Sequence, residues 1–324
     1  MNEISYFRKM LEAKWQQGKY LCVGLDPQEQ LLPTTFMSDT TGSTYEKPIY
    51  RIREFCKKIV LLTNQIAAAY KLNIAFFEAY GSEGIKCLLD IVMYIQHLDK
   101  SMPIIIDAKR GDIGSTNNGY VEFMFDWLRA DAVTVHPYLG RESLLPMLDI
   151  TNKGIIILAK TSNKGAGEFQ DLRVRTSFAE SLTIPVFRTW LGRLGYEGFI
   201  ARLIAATIGE PLSYRVARNV ATSWNVANNC GLVVGATYPC EIRAIRYIVG
   251  DSILLLIPGI GAQGGDLHAT VQGAWKNFLI NVSRGIIHAS RDNDWEEVVA
   301  SKAKFYHEAI QEELLLMGQW EKPQ

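Results

Sequence analysis

The sequence lacks the features that identify several common classes of protein. Its five cysteines are scattered and never spaced as Cys-x-x-Cys, so neither a disulfide framework nor a zinc knuckle is expected. No stretch approaches the ~18 uninterrupted apolar residues of a membrane-spanning helix, and residues 1–19 lack the apolar centre of a signal peptide. Lys+Arg and Asp+Glu are equal at 34 each, which does not favour a nucleic-acid binder. We therefore expect a soluble, cytoplasmic protein that binds neither membranes nor nucleic acid.

Eight short apolar runs, each ending in a polar or glycine-rich turn, are the most regular feature of the 324-residue chain. Such continuous runs of Ile, Val and Leu are typical of strands buried on both faces, as in a parallel sheet. The runs are 20–26, 67–73, 104–107, 132–136, 154–160, 231–235, 253–258 and 278–282.

Amphipathic helical patterns alternate with these runs, at 49–64, 84–98, 117–129, 213–228 and 295–317. Repeated strand–helix alternation predicts an α/β fold, a (β/α)₈ TIM barrel in which residues 1–324 form a single domain. A doubly wound open sheet is the alternative. The first run is not followed by Gly-x-Gly-x-x-Gly, which weakens that alternative.

The connection between the fifth and sixth runs is longer than a minimal barrel requires. Within it, residues 173–210 carry apolar residues at near-helical spacing, including Trp190, Leu194 and Phe199. We interpret this segment as a helical insertion, because it is too short to hold a core of its own. Surface packing, a lid and an oligomer contact remain open as its role.

Charged residues concentrate where the predicted strands end, which is the side of a TIM barrel that holds active sites. Asp107 and Lys109 are two apart in one run, so regular alternation places both side chains on one face. Asp112 follows closely, and Lys71 ends the second run. Flanking carboxylates favour the protonated form of Lys109, which suits a proton donor. The alternative for these charges is a structural ion-pair network.

Two neighbouring strand ends carry a possible phosphate site. Residues 259–265 are glycine-rich and expose backbone N–H groups, and Arg284 follows the eighth run. An arginine adds a bidentate, charge-assisted pair to a phosphate. His136, at the end of the fourth run, either lines the site or packs in the core.

Six of the eight strand ends carry motifs that together resemble the orotidine 5′-phosphate decarboxylase family, most closely its longer-chain subgroup. The resemblance spans most of residues 1–290. The motifs appear in the family's order as Gly-Leu-Asp26-Pro, Lys71-Leu-Asn73, Asp107-Ala-Lys-Arg-Gly-Asp-Ile113, Lys160-Thr-Ser-Asn163, Pro258-Gly-Ile-Gly-Ala-Gln263-Gly-Gly and Ser283-Arg284-Gly.

The resemblance implies decarboxylation of orotidine 5′-phosphate to UMP, the last step of de novo pyrimidine biosynthesis, by a carboxy-lyase without a cofactor or a metal. Lys109 would donate the proton to C6 of the pyrimidine. Asp107 would lie near the substrate carboxylate and help to hold Lys109, while Lys71 would bind the ribose and complete the charge network. Asp112 would cross the interface of a homodimer into the partner's site.

The resemblance also implies a set of substrate-binding residues. Asp26 and Asn73 would contact the ribose, and Ile113 and Thr116 would reach the partner's site together with Asp112. The residues implied at the pyrimidine and phosphate ends of the nucleotide are Thr161, Ser162, Pro258, Gln263, Gly264, Gly265 and Arg284.

Two other functions remain open at this point. The first is a magnesium-dependent sugar-phosphate decarboxylase or synthase of the same barrel superfamily, which also uses an Asp-x-Lys-x-x-Asp strand. The Asn73 and 160–163 motifs favour the nucleotide substrate over the sugar phosphate. The second is a protein that binds phosphate ligands but has lost catalysis. The presence of all four charged residues makes this less favoured; they are Lys71, Asp107, Lys109 and Asp112.

Overall fold

The apolar runs form the strands of a closed parallel barrel. The computed structural model describes residues 5–37, 46–175 and 209–318. The strands are β1 (Leu21–Leu25), β2 (Ala67–Asn73), β3 (Ile104–Arg110), β4 (Ala132–Val135), β5 (Gly154–Lys160), β6 (Arg173–Val174), β7 (Glu210–Pro211), β8 (Cys230–Val234), β9 (Leu254–Pro258) and β10 (Phe278–Val282). The barrel order is β1-β2-β3-β4-β5-β8-β9-β10, and β10 closes onto β1. Closure confirms the TIM barrel and excludes the doubly wound open sheet.

Helices occupy most of the connections between the barrel strands. They are α1 (Tyr6–Gln16), α2 (Thr34–Met37), α3 (Glu46–Thr63), α4 (Ala75–Glu78), α5 (Gly81–Leu98), α6 (Gly114–Val121), α7 (Gly140–Leu148), α8 (Gly167–Gln170), α9 (Leu212–Asn219), α10 (Pro239–Val249), α11 (Leu267–Ala274), α12 (Arg284–Ile287) and α13 (Trp295–Leu316). The helices predicted from residues 117 and 213 continue as wider π turns, Glu122–Trp127 and Val220–Trp224. No helix in the described ranges is long and apolar enough to cross a membrane.

Alternation along the strands divides the core into two layers. Ile106 and Ile157 face outward and pack beneath the helices, whereas their neighbours Ile105 and Ile156 fill the barrel interior. Because both faces of each strand are covered, both sets of side chains are removed from water, as the unbroken apolar runs predict.

Helix α1 covers the amino-terminal end of the barrel. Its Phe7, Leu11 and Trp15 belong to the interior layer, and Trp15 Nε1 donates to the carbonyl of Phe278 at 3.1 Å. A Cβ atom on Gly154 would lie 2.3 Å from the Phe7 ring, so only glycine allows this close approach. Since α1 fills this end, the opposite end of the barrel, where the charged motifs lie, is the one left for a ligand.

The predicted insertion lies mostly outside the described residues, but its two ends are described. β6 and β7 pair antiparallel, with Val174 opposite Glu210. We call this pair of strands the stem. Glu210 is 1% exposed and accepts from Arg215 Nε at 2.6 Å and from Arg218. A buried carboxylate with two guanidinium partners fixes the place where this segment leaves the barrel and returns.

Candidate active site

Two lysines and two aspartates meet at the carboxyl ends of β1, β2 and β3. Lys71 Nζ lies 2.9 Å from Asp107 Oδ2 and 3.7 Å from Asp26 Oδ1. Lys109 Nζ lies 2.7 Å from Asp107 Oδ1. The Lys71 side chain is 5% exposed and that of Lys109 is 48% exposed. One ammonium group is therefore largely enclosed at the cavity wall, while the other faces the open end of the barrel.

An irregularity in β3 sets the direction of Lys109. Ile106 pairs with Val133 and Arg110 with Val135, so β3 advances four positions where β4 advances two. Lys109 has φ 49°, a left-handed conformation that non-glycine residues seldom adopt. The side chains of Asp107 and Lys109 meet, as the sequence predicts. The cause is a bulge in β3, however, and not the regular alternation of side chains along a strand.

The buried charges depend on one another electrostatically. Burial alone would raise the pKa of Asp107, but the ammonium groups of Lys71 and Lys109 outweigh burial and hold this pKa well below its usual range. Burial alone would lower the pKa of Lys71, and the carboxylates of Asp26 and Asp107 instead raise it well above its usual value. Both residues are therefore charged at neutral pH, which gives the site a preformed array of alternating charge.

A cavity of about 440 Å³ opens beside this array. Most of the predicted catalytic and binding residues line it, from six different strand ends. They are Asp26, Lys71, Asp107, Lys109, Thr161, Ser162, Pro258, Gln263 and Arg284. Its volume lies within the range typical of small-molecule sites.

Gly264 and Gly265 do not line this cavity, and neither do four other predicted residues at the same rim. Asn73 ends β2, and its Oδ1 accepts from the backbone N–H of Ala75 at 3.3 Å. Asp112, Ile113 and Thr116 follow β3, and Ile113 is 61% exposed. The Asp112 carboxylate accepts from the backbone N–H of Ile113 at 2.7 Å. Asp112, Ile113 and Thr116 are therefore at the rim of the cavity and not inside it.

The glycine-rich loop after β9 is folded upon itself. Gly259, Gly261 and Gly264 have φ values of 113°, 81° and 76°, which favour glycine. The N–H of Gly264 donates to Gly261 O at 2.9 Å, and that of Gly265 donates to Gly259 O at 3.0 Å. The two amides expected to hold a phosphate are thus already occupied, and they become available only if the loop opens.

Arg284, another predicted phosphate ligand, is accessible in this conformation. It begins α12, directly after Ser283, and its side chain is exposed. Its guanidinium group forms no ion pair with any residue in the described ranges. An exposed guanidinium at the mouth of a cavity suits a phosphate group.

Similarity to known proteins identifies the family of the chain. A sequence model of the orotidine 5′-phosphate decarboxylase / HUMPS family matches residues 19–184, just over half of the chain. A relative from Bordetella avium, named orotidine 5′-phosphate decarboxylase, is 39% identical over 309 residues, covering 94% of this chain and 98% of the relative. The chain belongs to this family.

Further relatives and solved structures extend the similarity over the whole barrel. An orotidine 5′-phosphate decarboxylase from Roseiflexus castenholzii is 36% identical over 311 residues, covering 95% of this chain and 97% of the relative. The structure of Leishmania donovani OMP decarboxylase matches with a TM-score of 0.72 and 30% identity, covering 97% of this chain and all of that one. A Plasmodium berghei orotidine 5′-monophosphate decarboxylase, with 23% identity and a TM-score of 0.75, shares the fold.

The sequence did not single out several polar residues that line the cavity. Thr134 donates to Asp107 Oδ1 at 2.8 Å, and Asn281 is 5% exposed with an Oδ1 atom that finds no hydrogen-bond partner among the described residues. Each is the one polar residue in an otherwise apolar strand, which is a signal that could have identified both. Gln170 also lines the cavity, but no periodicity marks it. His136, by contrast, is not among the lining residues.

Proposed function

We propose that the protein decarboxylates orotidine 5′-phosphate to UMP. The observation that carries the proposal is the Lys71–Asp107–Lys109 array, which lies in the same cavity as Gln263 and Arg284. A nucleotide monophosphate needs a cationic clamp at one end, and its decarboxylation needs a charged array with a proton donor at the other. The names and lengths of the relatives support the same activity.

The reaction we propose uses only side chains of the chain. The bond between C6 and the carboxylate breaks, carbon dioxide leaves, and the electron pair remains at C6. The ammonium group of Lys109 donates a proton to that carbon and is reprotonated from solvent. Asp107 lies near the departing carboxylate and orients Lys109 through the 2.7 Å contact. Because the array is preformed, little reorganisation is needed during the reaction.

The remaining predicted residues bind the nucleotide in this proposal. Lys71, Asp26 and Asn73 contact the ribose. Thr161 and Ser162 contact the pyrimidine edge, and Pro258 adjoins the base. The phosphate ligands are Gln263, Arg284 and, after opening of the loop, the amides of Gly264 and Gly265. Binding energy from the phosphate is then available to hold that loop in its rearranged conformation around the substrate.

We also infer that the working form is a homodimer. Asp112, Ile113 and Thr116 lie outside their own chain's cavity at its rim, and the exposed Ile113 suits a contact between subunits. In a two-fold dimer, each subunit contributes these residues to the other's site. Residues 1–324 form one barrel domain in this proposal, with 173–210 as its insertion.

An ultraviolet assay of orotidine 5′-phosphate consumption by the purified protein tests the activity. We expect UMP and carbon dioxide to form without any added cofactor, at a rate that EDTA does not change. Loss of activity in EDTA that magnesium restores would instead support the sugar-phosphate type of chemistry. A folded dimer that binds UMP but consumes no substrate would support the non-catalytic binder.

A further inference from the structure

Two consecutive residues at the end of β5 pair with two consecutive residues at the end of α8. Lys160 pairs with Asp171, and Thr161 pairs with Gln170. We call these two pairs the β5–α8 clamp. It closes the loop that carries Ser162, one of the residues lining the cavity. The position of this wall of the cavity therefore depends on the clamp.

The first pair of the clamp joins a buried lysine to a half-exposed aspartate, and neither residue lines the cavity. The Lys160 side chain is 0% exposed, and its Nζ lies 2.5 Å from Asp171 Oδ1. The same ammonium group lies 4.3 Å from the ring centroid of Tyr238. A buried ammonium group requires such partners, so Asp171 is held close to β5. Gln170, the preceding residue, is held with it.

The second pair fixes the orientation of the Gln170 carboxamide. The backbone N–H of Thr161 donates to Gln170 Oε1 at 2.8 Å, and Gln170 Nε2 donates to Thr161 Oγ1 at 2.8 Å. The Thr161 hydroxyl donates onward to Asn163 Oδ1 at 2.7 Å. A reversed carboxamide would place its nitrogen against the backbone N–H, so the amide orientation is determined.

This arrangement leaves one donor of Gln170 without an acceptor among the described residues. A primary amide nitrogen carries two N–H groups, and Thr161 accepts only one of them. Gln170 lines the cavity, so its second N–H is available to a bound ligand. The hydroxyl and backbone N–H of Thr161, by contrast, already donate within the clamp, so Thr161 can contact the pyrimidine edge only as an acceptor or through its methyl group.

We propose that Gln170 is a specificity-determining residue that donates this N–H to a ring carbonyl of a uracil-type base. The inference rests on the proposed function and names the group that selects the base. Uracil and orotate carry a carbonyl at C4, whereas cytosine carries an amino group there. An N–H donor facing that amino group leaves both donors unpaired, which disfavours cytidine nucleotides.

The direct test replaces Gln170 and measures the ratio of two dissociation constants. Calorimetric titration with UMP and with CMP gives this ratio for the full-length protein, for Gln170→Met and for Gln170→Glu. Methionine keeps the length of the side chain but has no N–H donor. We expect wild type to bind UMP more tightly than CMP. The ratio of the CMP to the UMP dissociation constant should fall about tenfold in Gln170→Met and further in Gln170→Glu.

A matched control is available at Gln311, whose Nε2 donates to the carbonyl of Gly18 at 3.1 Å away from the cavity. Gln311→Met should leave the ratio unchanged. A purely structural role of Gln170 would weaken UMP and CMP equally, and that result would overturn the proposal. Circular dichroism and the melting temperature establish that the compared variants are folded.

The outcome separates this inference from the proposed function. A wild-type protein that prefers UMP by way of Gln170 but does not turn over orotidine 5′-phosphate would support the inference and contradict the decarboxylase activity. If the wild type is active and both Gln170 variants keep the wild-type ratio of the two dissociation constants, the decarboxylase activity is supported and the inference about Gln170 is contradicted. A wild-type protein with no preference for UMP would overturn the inference.

Discussion

The hydroxyl of Thr134 accepts a hydrogen bond from the backbone N–H of Lys109 at 3.0 Å. The same hydroxyl donates to Asp107 Oδ1 at 2.8 Å, so it connects the backbone of one charged residue to the carboxylate of the other. Lys109 has a left-handed backbone conformation, which requires support from its surroundings. Thr134 provides that support and keeps the ammonium group directed toward the cavity.

Replacing Thr134 by valine should therefore slow the reaction without unfolding the barrel. Valine matches threonine in shape but removes the hydroxyl that serves both partners. A hydrogen bond of about 1 kcal/mol corresponds to roughly a fivefold fall in kcat. Steady-state kinetics measures this effect, and Thr134→Ser, which keeps the hydroxyl, should retain most of the activity. Equal rates in the valine and serine variants would remove Thr134 from this role.

Asp107→Asn should destabilise the protein in a pH-dependent way. The substitution leaves the buried Lys71 with Asp26 at 3.7 Å as its remaining carboxylate partner, and breaking a buried pair typically costs about 3 kcal/mol. Because folding lowers the pKa of Asp107, its contribution is present above the unfolded-state pKa of about 3.9 and is lost as the pH falls through the folded value.

Urea denaturation of wild type and Asp107→Asn at several pH values measures this dependence. The difference in the free energy of unfolding should be largest near neutral pH and should shrink below about pH 4. Glu83→Gln is a suitable control, because Glu83 pairs with Lys86 on the surface and its side chain is 55% exposed. If the difference in the free energy of unfolding between wild type and Asp107→Asn does not depend on pH, the negative charge of Asp107 does not contribute to stability.

Arg284→Ala should weaken substrate binding more than it slows the chemical step. The guanidinium is exposed and makes no ion pair with the described part of the chain, so its removal leaves no buried charge unpaired. We expect KM to rise about 10- to 100-fold, as for a lost charged hydrogen bond, with kcat nearly unchanged. Arg284→Lys should lose less, because it keeps the charge but not the bidentate geometry. A fall in kcat alone would contradict the phosphate assignment.

Mixing two inactive variants tests whether Asp112 acts across a dimer interface. Lys109→Ala and Asp112→Ala should each be inactive when purified alone. In a mixed dimer, one site carries both substitutions and the other carries neither. Random exchange of subunits should therefore restore about a quarter of the wild-type rate. Continued inactivity of a mixture shown to contain mixed dimers would place Asp112 in its own subunit's site or outside the mechanism.

The sequence predicted the parts of this molecule that depend on local pattern. The strand at 278–282 was predicted with the bounds that the structure has, because its apolar run is unbroken and ends in a polar turn. The approach of Lys71 to Asp107 also follows from pattern, since both residues lie toward the carboxyl ends of adjacent parallel strands.

The parts that the sequence did not predict depend on backbone departures and on distant contacts. Nothing in the residues 104–110 indicates that Lys109 adopts φ 49° at a bulge. Gln170 reaches Thr161 only because a loop returns to the strand end. The occupied amides of Gly264 and Gly265 likewise follow from how their loop folds, which its glycine content alone does not determine.

The stem has a consequence for how the barrel tolerates changes in chain length. Because Val174 and Glu210 are paired neighbours, the segment between them begins and ends at almost the same point in space. The entropy of closing such a loop grows only with the logarithm of its length. Lengthening the segment should therefore change the entropy of closing it only slightly, which makes this position suitable for inserting a reporter domain.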